Sequence, residues 1–205
     1  MAFDRRAFLV GAALLSASSF AASSFAAPGD ASAQGSGDAA AVVKNLQRSM
    51  LDVIRNAAHI SLRKRYDALR PAIGATFDLP AMAKTAFGPG WDAMTEAQRQ
   101  DWTKSFGDYI AASYAARLDS LNVKDFDPDA KSIPQGDDVI VTSRMILTDG
   151  PPAPINYVMR RTPQGWRIGD ILANGSVSEL AQWRRSLHGY KADVLRQRKD
   201  AFLTP

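Results

Sequence analysis

Apolar residues recur every three or four positions over the first half of the chain, a spacing that predicts helices. From Asp38 to Ala58 these side chains fall on one helical face. A second helical stretch runs from Leu62 to Ile73, and the ring of Pro71 predicts a kink or break near its end. The segment from Pro28 to Gly37 is instead rich in Gly, Ala and Ser, which predicts a flexible leader.

Capping signals divide the next stretch into a short helix and a long one. Asp78 is placed to cap the short helix, whose first turn tolerates Pro80, and Gly88-Pro89-Gly90 ends it. Thr95 and Gln98 then form a capping-box pattern that opens the long helix. One stripe of the long helix carries mostly large aromatic and aliphatic residues: Trp102, Phe106, Tyr109, Ile110, Ser113, Tyr114, Arg117, Leu118 and Leu121.

In the second half of the chain the period changes from that of a helix to that of a strand. Apolar and polar residues alternate over residues 139–147, 155–160 and 166–172, which predicts three strands. The turn-forming stretches Asp149-Gly150-Pro151-Pro152 and Thr162-Pro163-Gln164-Gly165 separate them, so an antiparallel meander is expected.

Two further elements complete the predicted domain. Residues 121–133 are expected to supply another, shorter strand. Ser178 is placed to cap one last helix, whose stripe comprises Leu180, Trp183, Leu187 and Val194. Helices, then strands, then a helix predict an α+β fold, with a curved antiparallel sheet and helices folded over one of its faces.

The first residues have the pattern of a secretory signal peptide. Arg5-Arg6 precedes an apolar run from Ala7 to Phe20, and small residues follow up to Ala33. Cleavage after Ala33 is expected, with Ala26 or Ala27 as the alternative, and the arginine pair leaves Sec and twin-arginine export both open. This divides the chain into a signal peptide over residues 1–33 and a single domain over residues 34–205.

Composition narrows the range of functions. The chain contains no cysteine, so it uses no disulfide, thiol nucleophile or cysteine metal site. The formal net charge is +4, and removal of the predicted signal peptide leaves it unchanged. This mild excess favours loose attraction to an anionic membrane surface. Nucleic-acid binding is not expected, because the positive charge is scattered along an exported chain.

Motifs for catalysis and metal binding are weak. His59 and His188 have no neighbouring His, Asp or Glu at a ligand spacing, so no metal site is predicted. The run that begins at Gly88 resembles a dinucleotide fingerprint only in its letters, because it follows a helix instead of a strand. Among carboxylates, Asp78 is better explained as a helix cap, and Asp170 as an ion-pair partner of Arg167 or Arg184. No cofactor is expected.

An ordered set of residues resembles the signature of a known family. The set comprises Phe77-Asp78-Leu79, Met82-Ala83, Gly88, Trp91 and Gln98-Arg99, then Trp166-Arg167-Ile168, Asp170, Gly175, Ser178, Trp183, Arg184 and Leu187. This set resembles the MlaC (toluene-tolerance auxiliary) family of periplasmic lipid-binding proteins. The family usually has Tyr and Phe where this chain has Trp183 and Leu187. A further pattern, Asn156-Tyr157-Val158-Met159-Arg160 followed by Ser178-Glu179-Leu180-Ala181, resembles the hopanoid-associated (HpnM-like) branch.

The resemblance implies a fold, a ligand and partners. The fold would be a cystatin- or NTF2-like sheet under helices, with an apolar pocket between the layers. The ligand would be a phospholipid or a hopanoid, carried between the inner and outer membranes. The partners would be an inner-membrane lipid transporter, either an ABC complex or an RND-type exporter, and an outer-membrane acceptor, with transient membrane contact.

The predicted lipid contacts are large apolar residues of the helices and facing strands, together with one arginine that matches the family's helix arginine. Methionines among them suit a variable guest because their side chains are adaptable. The arginine, Arg184, would either contact the headgroup or anchor the last helix to the sheet. The full set is Phe77, Met82, Phe87, Trp91, Phe106, Tyr109, Ile110, Tyr114, Val141, Met145, Tyr157, Met159, Trp166, Ile168 and Arg184.

Two functions of other classes remain open from the sequence. One is an NTF2-like enzyme that acts on a small apolar substrate. The other is an envelope interaction module without a ligand, which would have a pocket too small for hydrocarbon. Large apolar residues at helical spacing are also typical of an ordinary core.

Overall fold

The computed structural model describes residues 29–127 and 129–204 of the chain. Six helices lie within these residues: α1 (Gly29–Asn56), α2 (Leu62–Thr76), α3 (Leu79–Phe87), α4 (Glu96–Arg117), α5 (Glu179–Leu187) and α6 (Ala192–Leu203). All but the end of the predicted signal peptide lies outside the described residues. No helix within them combines the length and apolar composition needed to cross a bilayer.

The part of the chain that the structure describes also contains six strands, which form one antiparallel sheet: β1 (Val123–Phe126), β2 (Lys131–Gln135), β3 (Asp138–Leu147), β4 (Ala153–Thr162), β5 (Gly165–Ala173) and β6 (Val177–Ser178). The three long strands β3, β4 and β5 make its centre. β1 and β2 both pair with β3, and β6 pairs with β5. The predicted α+β fold with an antiparallel sheet under helices is therefore confirmed.

Local capping explains where several helices begin. The Asp78 carboxylate accepts a hydrogen bond from the Ala81 backbone N–H at 3.3 Å, as expected for the cap of α3. At the start of α4, the Thr95 hydroxyl accepts from the Gln98 N–H, and the Gln98 side chain accepts from the Thr95 N–H. Both predicted caps are confirmed.

Three helix boundaries differ from the sequence prediction. α1 begins at Gly29 and so includes residues 29–37 of the segment expected to be a flexible leader. α2 does not break at Pro71, because Leu69 and Ile73, on either side of it, are both fully buried and hold one continuous face in the core. The last helix is two helices, since Gly189 adopts a left-handed φ of 71° between α5 and α6.

The helices cover one face of the sheet. α1 packs against the strands, α4 packs against α2 and α6, and α3 packs against α5. A cluster of aromatic rings joins α3, α4 and α5, and we call it the aromatic cluster: Phe87, Trp91, Trp102, Phe106 and Trp183.

Candidate functional site

An apolar pocket lies where the end of α4 meets α1 and the sheet. Its walls come from the C-terminal part of α1, the end of α4 with the short turn that follows it, strands β1, β3, β4 and β5, and the start of α5. The cavity has a volume of about 130 Å³. Its lining is mostly apolar and comprises Met50, Ile54, Tyr114, Arg117, Leu118, Leu121, Val123, Phe126, Met145, Ile155, Ile171, Ala173 and Glu179.

Strand register places the sheet residues of the pocket on one face. β3 and β4 pair Ser143 with Ile155, and β4 and β5 pair Ile155 with Ala173. Residues directly opposite each other on antiparallel strands point to the same face, so these three form a row under α1. Met145 lies two residues beyond Ser143 and therefore points the same way.

A bulge in β5 brings two more side chains to the pocket. The pairing with β4 shifts between Ile168 and Asp170, which leaves Gly169 out of the ladder. The side chains that face the helices therefore change from the even-numbered Ile168 to the odd-numbered Ile171 and Ala173. Without this extra residue, Ile171 would point away from the pocket.

The charged residues of the pocket lie together. The Tyr114 hydroxyl donates to Glu179 Oε2 at 2.5 Å, and the guanidinium of Arg117 lies 3.8 Å from Oε1 of the same carboxylate. Burial raises the pKa of Glu179, with a further contribution from Asp170, while the Tyr114 hydrogen bond and Arg117 oppose that rise. Burial and the Glu179 charge raise the pKa of Tyr114 well above its ordinary value.

The start of α5 is fixed to the bulged strand. Asp170 accepts from the Ser178 hydroxyl at 2.5 Å and from the Leu180 backbone N–H at 3.0 Å. Ser178 in turn accepts from the Ala181 N–H at 2.9 Å, which confirms its predicted role as a cap. These bonds hold Glu179, the first residue of α5, at the pocket.

A buried polar bridge ties α1 to the sheet beside the pocket. The Gln47 side-chain amide donates to the Ser143 hydroxyl at 3.1 Å and to the Tyr157 hydroxyl at 3.3 Å. All three residues are buried, so each bond replaces one that water would otherwise make. Burial also raises the pKa of Tyr157, which keeps its hydroxyl neutral.

Two of the sequence-predicted lipid contacts, Tyr114 and Met145, line this pocket. Phe77 lies behind it, since its ring is 6.5 Å from that of Tyr114. The others do not line it. Phe87, Trp91 and Phe106 belong to the aromatic cluster, and the remaining apolar ones are buried elsewhere in the core: Met82, Tyr109, Ile110, Val141, Tyr157, Met159, Trp166 and Ile168.

Arg184 lies on the exposed side of α5, near its end. The expected anchor to Asp170 does not form, because Asp170 is occupied by Ser178 and by backbone N–H groups. No ion pair of Arg184 is found within the described residues. Its predicted headgroup contact stays a prediction.

The pocket residues that the sequence did not single out have recognisable signals. Gly169, a glycine inside a strand pattern, marks a bulge, and a bulge moves Ile171 and Ala173 to the inner face. Glu179 follows a capping serine, and Arg117 lies on the same helical stripe as Tyr114. These positions place Glu179 and Arg117 at the interface between the helices and the sheet. The two side chains could therefore have been predicted to lie close together.

Groups suited to other chemistry are few. Within residues 29–127 and 129–204, no three His, Asp or Glu side chains come close enough together to hold a metal ion. The carboxylate of Glu179 is the one acidic group that lines the described pocket. The arrangement can enclose an apolar guest and offer it one cationic and one carboxylate group.

The fold and the pocket define an α+β protein with an apolar site enclosed between a helical layer and an antiparallel sheet. A family model described as MlaC protein matches residues 44–190, which is well over half of the chain. The chain belongs to the MlaC family, and the resemblance to this family drawn from its sequence is confirmed, whereas the resemblance to the hopanoid-associated branch stays a prediction.

A solved structure supports the same fold. A phospholipid-binding protein from Ralstonia solanacearum, determined in complex with a phospholipid, matches with a TM-score of 0.63 and 20% sequence identity. The match covers 82% of this chain and 99% of that one. At this identity the likeness shows the fold. No curated protein sequence matches the chain.

Proposed function

We propose that the protein binds a lipid, either a phospholipid or a hopanoid, in the pocket under α1 and carries it between the inner and outer membranes. The observation that carries the proposal is an apolar pocket between helices and sheet, in a chain of the MlaC family. The similar protein from Ralstonia solanacearum was solved with a phospholipid bound, which supports the same class of ligand here.

The size of the cavity sets a requirement on lipid entry. A cavity of about 130 Å³ is smaller than the ~150 Å³ engineered cavity that takes one benzene molecule. Hydrocarbon chains therefore enter only if α1 and the sheet move apart. The lining suits such a change, because Met50 and Met145 have unbranched side chains that repack readily.

The energetics favour a passive carrier. Burying a lipid chain releases about 0.8 kcal/mol per methylene relative to water, but the donor membrane is equally apolar. The two contributions nearly cancel, so exchange between membrane and protein is close to neutral. Direction then comes from the partners. We propose an inner-membrane ABC or RND-type transporter and an outer-membrane acceptor, reached in the periplasm after export by the signal peptide of residues 1–33.

Native mass spectrometry of the protein purified from its own cell envelope tests the proposal. Added mass, followed by organic extraction, is expected to yield an intact phospholipid or hopanoid. Ile155→Trp, which fills the pocket, should cut the bound fraction severalfold. Ile133→Trp is the matched control, because Ile133 is 51% exposed on β2 and does not line the cavity. A clean apo mass from both wild type and control would overturn the carrier.

An enzyme acting on a small apolar substrate is the second candidate. The small cavity and the raised pKa of Glu179 favour it, because such a carboxyl is suited to proton transfer. The same mass spectra, together with an activity assay, separate the two functions. An intact lipid that persists through purification supports the carrier, whereas an apo protein that turns over a small apolar compound, and loses that activity in Glu179→Gln, supports the enzyme.

A further inference from the structure

The rim of the pocket carries two opposite charges on an otherwise apolar lining. Arg117 and Glu179 are the charged residues that line it. The side chain of Arg117 is 49% exposed and that of Glu179 is 17% exposed. The cation therefore lies toward solvent, and the carboxylate lies deeper, at the edge of the apolar lining.

Glu179 has one oxygen available to a ligand. Its Oε2 already accepts the short hydrogen bond from Tyr114. Its Oε1 has the Arg117 guanidinium at 3.8 Å, which is longer than a hydrogen bond. A donor on a ligand could therefore bind Oε1 without displacing Tyr114.

Arg117 is held in place while its outer nitrogens stay available. Its Nε donates to the Ser113 carbonyl at 3.3 Å, and its guanidinium lies over the Tyr114 ring at 5.3 Å from the centroid. Within the described residues, no hydrogen bond from its two terminal nitrogens is found. Those nitrogens suit an anionic oxygen, because a guanidinium binds phosphate through parallel N–H donors.

We propose that Arg117 and Glu179 form a receptor for a zwitterionic phospholipid headgroup, with the phosphate on Arg117 and a protonated, N–H-bearing amine on Glu179. This inference rests on the proposed function and names the class of lipid. The acyl chains would extend from the rim into the space between α1 and the sheet.

The arrangement of charges at the rim of the pocket disfavours anionic, neutral and quaternary ammonium headgroups. An anionic headgroup would satisfy Arg117 but would bring a second negative charge toward Glu179. A neutral headgroup with only hydroxyl groups would bring no anion to hydrogen-bond the terminal nitrogens of Arg117, whose one carboxylate neighbour is Glu179 at 3.8 Å among the described residues. A quaternary ammonium keeps its charge but has no N–H to donate to Oε1. Burial, which raises the pKa of Glu179, makes an ionised carboxylate costly there, and a bound ammonium would offset that cost.

Competition among headgroups tests the proposal. The apo protein is mixed with vesicles that contain equal amounts of phosphatidylethanolamine, phosphatidylcholine and phosphatidylglycerol with identical acyl chains. Bound lipid is then measured by native mass spectrometry. A second series replaces phosphatidylethanolamine by its N-methyl and N,N-dimethyl derivatives, which removes N–H donors one at a time. The expected result is about tenfold enrichment of phosphatidylethanolamine, falling along the series, because charge-assisted hydrogen bonds contribute on that scale.

Substitutions of Glu179 and Arg117 show which residue determines the headgroup preference. Glu179→Gln should abolish the preference for phosphatidylethanolamine over phosphatidylcholine while chains still load, and Arg117→Gln should weaken loading of all three phospholipids. Glu96→Gln is the matched control, since Glu96 is also the first residue of a helix but is exposed. It should keep the wild-type preference.

The outcomes separate this inference from the proposed function. If no lipid loads from any vesicle, the headgroup receptor is wrong, and the carrier is wrong too unless the protein purified from its own cell envelope carries a hopanoid. Equal loading of all headgroups, a preference for phosphatidylglycerol, or a preference that survives Glu179→Gln would leave the carrier standing and overturn the headgroup receptor. Preferential loading of diacylglycerol added to the same vesicles would also overturn it.

Discussion

The aromatic cluster and the apolar pocket are both built on α4, yet they are packed in different ways. In the cluster, the rings of Trp102 and Phe106 stack with centroids 5.1 Å apart, and Trp183 meets Phe106 edge to face at 5.7 Å. The pocket, farther along the same helix, is lined mainly by aliphatic and methionine side chains around a cavity.

This difference in packing indicates that the part of α4 in the aromatic cluster contributes mainly to stability, and the part at the pocket mainly to binding. Aromatic rings that pack against one another lose buried apolar surface area and ring contacts if they shift. The cluster therefore holds α3, α4 and α5 in fixed positions. Aliphatic side chains around a small cavity can rearrange at lower cost. We therefore expect substitutions in the cluster to change unfolding free energy, and substitutions at the pocket to change lipid loading.

Phe106→Ala should have the largest effect on stability. Phe106 is fully buried between Trp102 and Trp183, and its truncation should cost about 3–5 kcal/mol of unfolding free energy. Denaturant unfolding measures the change, and native mass spectrometry measures the lipid bound per folded molecule. A lost lipid fraction with little change in stability would instead place Phe106 in the binding site, as its sequence pattern predicted.

Gln47→Leu should have the next largest effect. The substitution leaves the buried hydroxyls of Ser143 and Tyr157 without their shared donor, which should cost about 1–3 kcal/mol. Because this bridge ties α1 to the sheet, lipid should also exchange faster between the protein and vesicles. In the Gln47→Leu, Tyr157→Phe double variant the loss should be less than additive. Strict additivity would mean that the two residues are not coupled.

Glu179→Gln should change how stability depends on pH. The folded-state pKa of Glu179 is raised, first by burial and then by Asp170, against the opposing Tyr114 hydrogen bond and Arg117. A raised pKa stabilises the fold below the unfolded-state value, and that contribution is lost as pH rises through the folded-state value. Across that window the wild type should therefore lose stability relative to Glu179→Gln. Denaturant midpoints at a series of pH values test this, and parallel curves would contradict it.

Arg184→Ala should have the smallest effect. Arg184 is exposed and is in no ion pair with a described residue, so its loss should change unfolding free energy by no more than about 0.5 kcal/mol. The same preparations should be assayed for lipid loading beside Arg117→Gln. A loss of loading in Arg184→Ala equal to that in Arg117→Gln would extend the headgroup site to the end of α5.

Features that depend on neighbouring residues were predictable from the sequence. The caps at Asp78, Thr95 and Ser178 form as expected, because a cap is decided by a side chain and a backbone group within three residues. The three long strands also follow the alternation that predicts them. The family resemblance added the expectation of an apolar pocket between the helices and the sheet.

The pocket itself was less predictable, for a physical reason. Periodicity shows which side chains of α4 are apolar but not which of them meet other helices and which meet a cavity. Phe106 and Tyr114 lie on one stripe, yet one packs in the aromatic cluster and the other lines the pocket. The bulge at Gly169 and the turn at Gly189 then shift later side chains in ways that a continuous pattern does not indicate.

The edges of the sheet bear on how the protein behaves at high concentration. The free side of β3 is covered by β1 and β2, which are four and five residues long. The side of β5 away from β4 pairs with the two-residue β6 and, through a single bridge at Ile168, with Phe77. β2 also contains Pro134, which has no N–H to offer a further strand. Such short, interrupted edges resist strand addition by another copy, so the chain should resist edge-to-edge aggregation at high concentration.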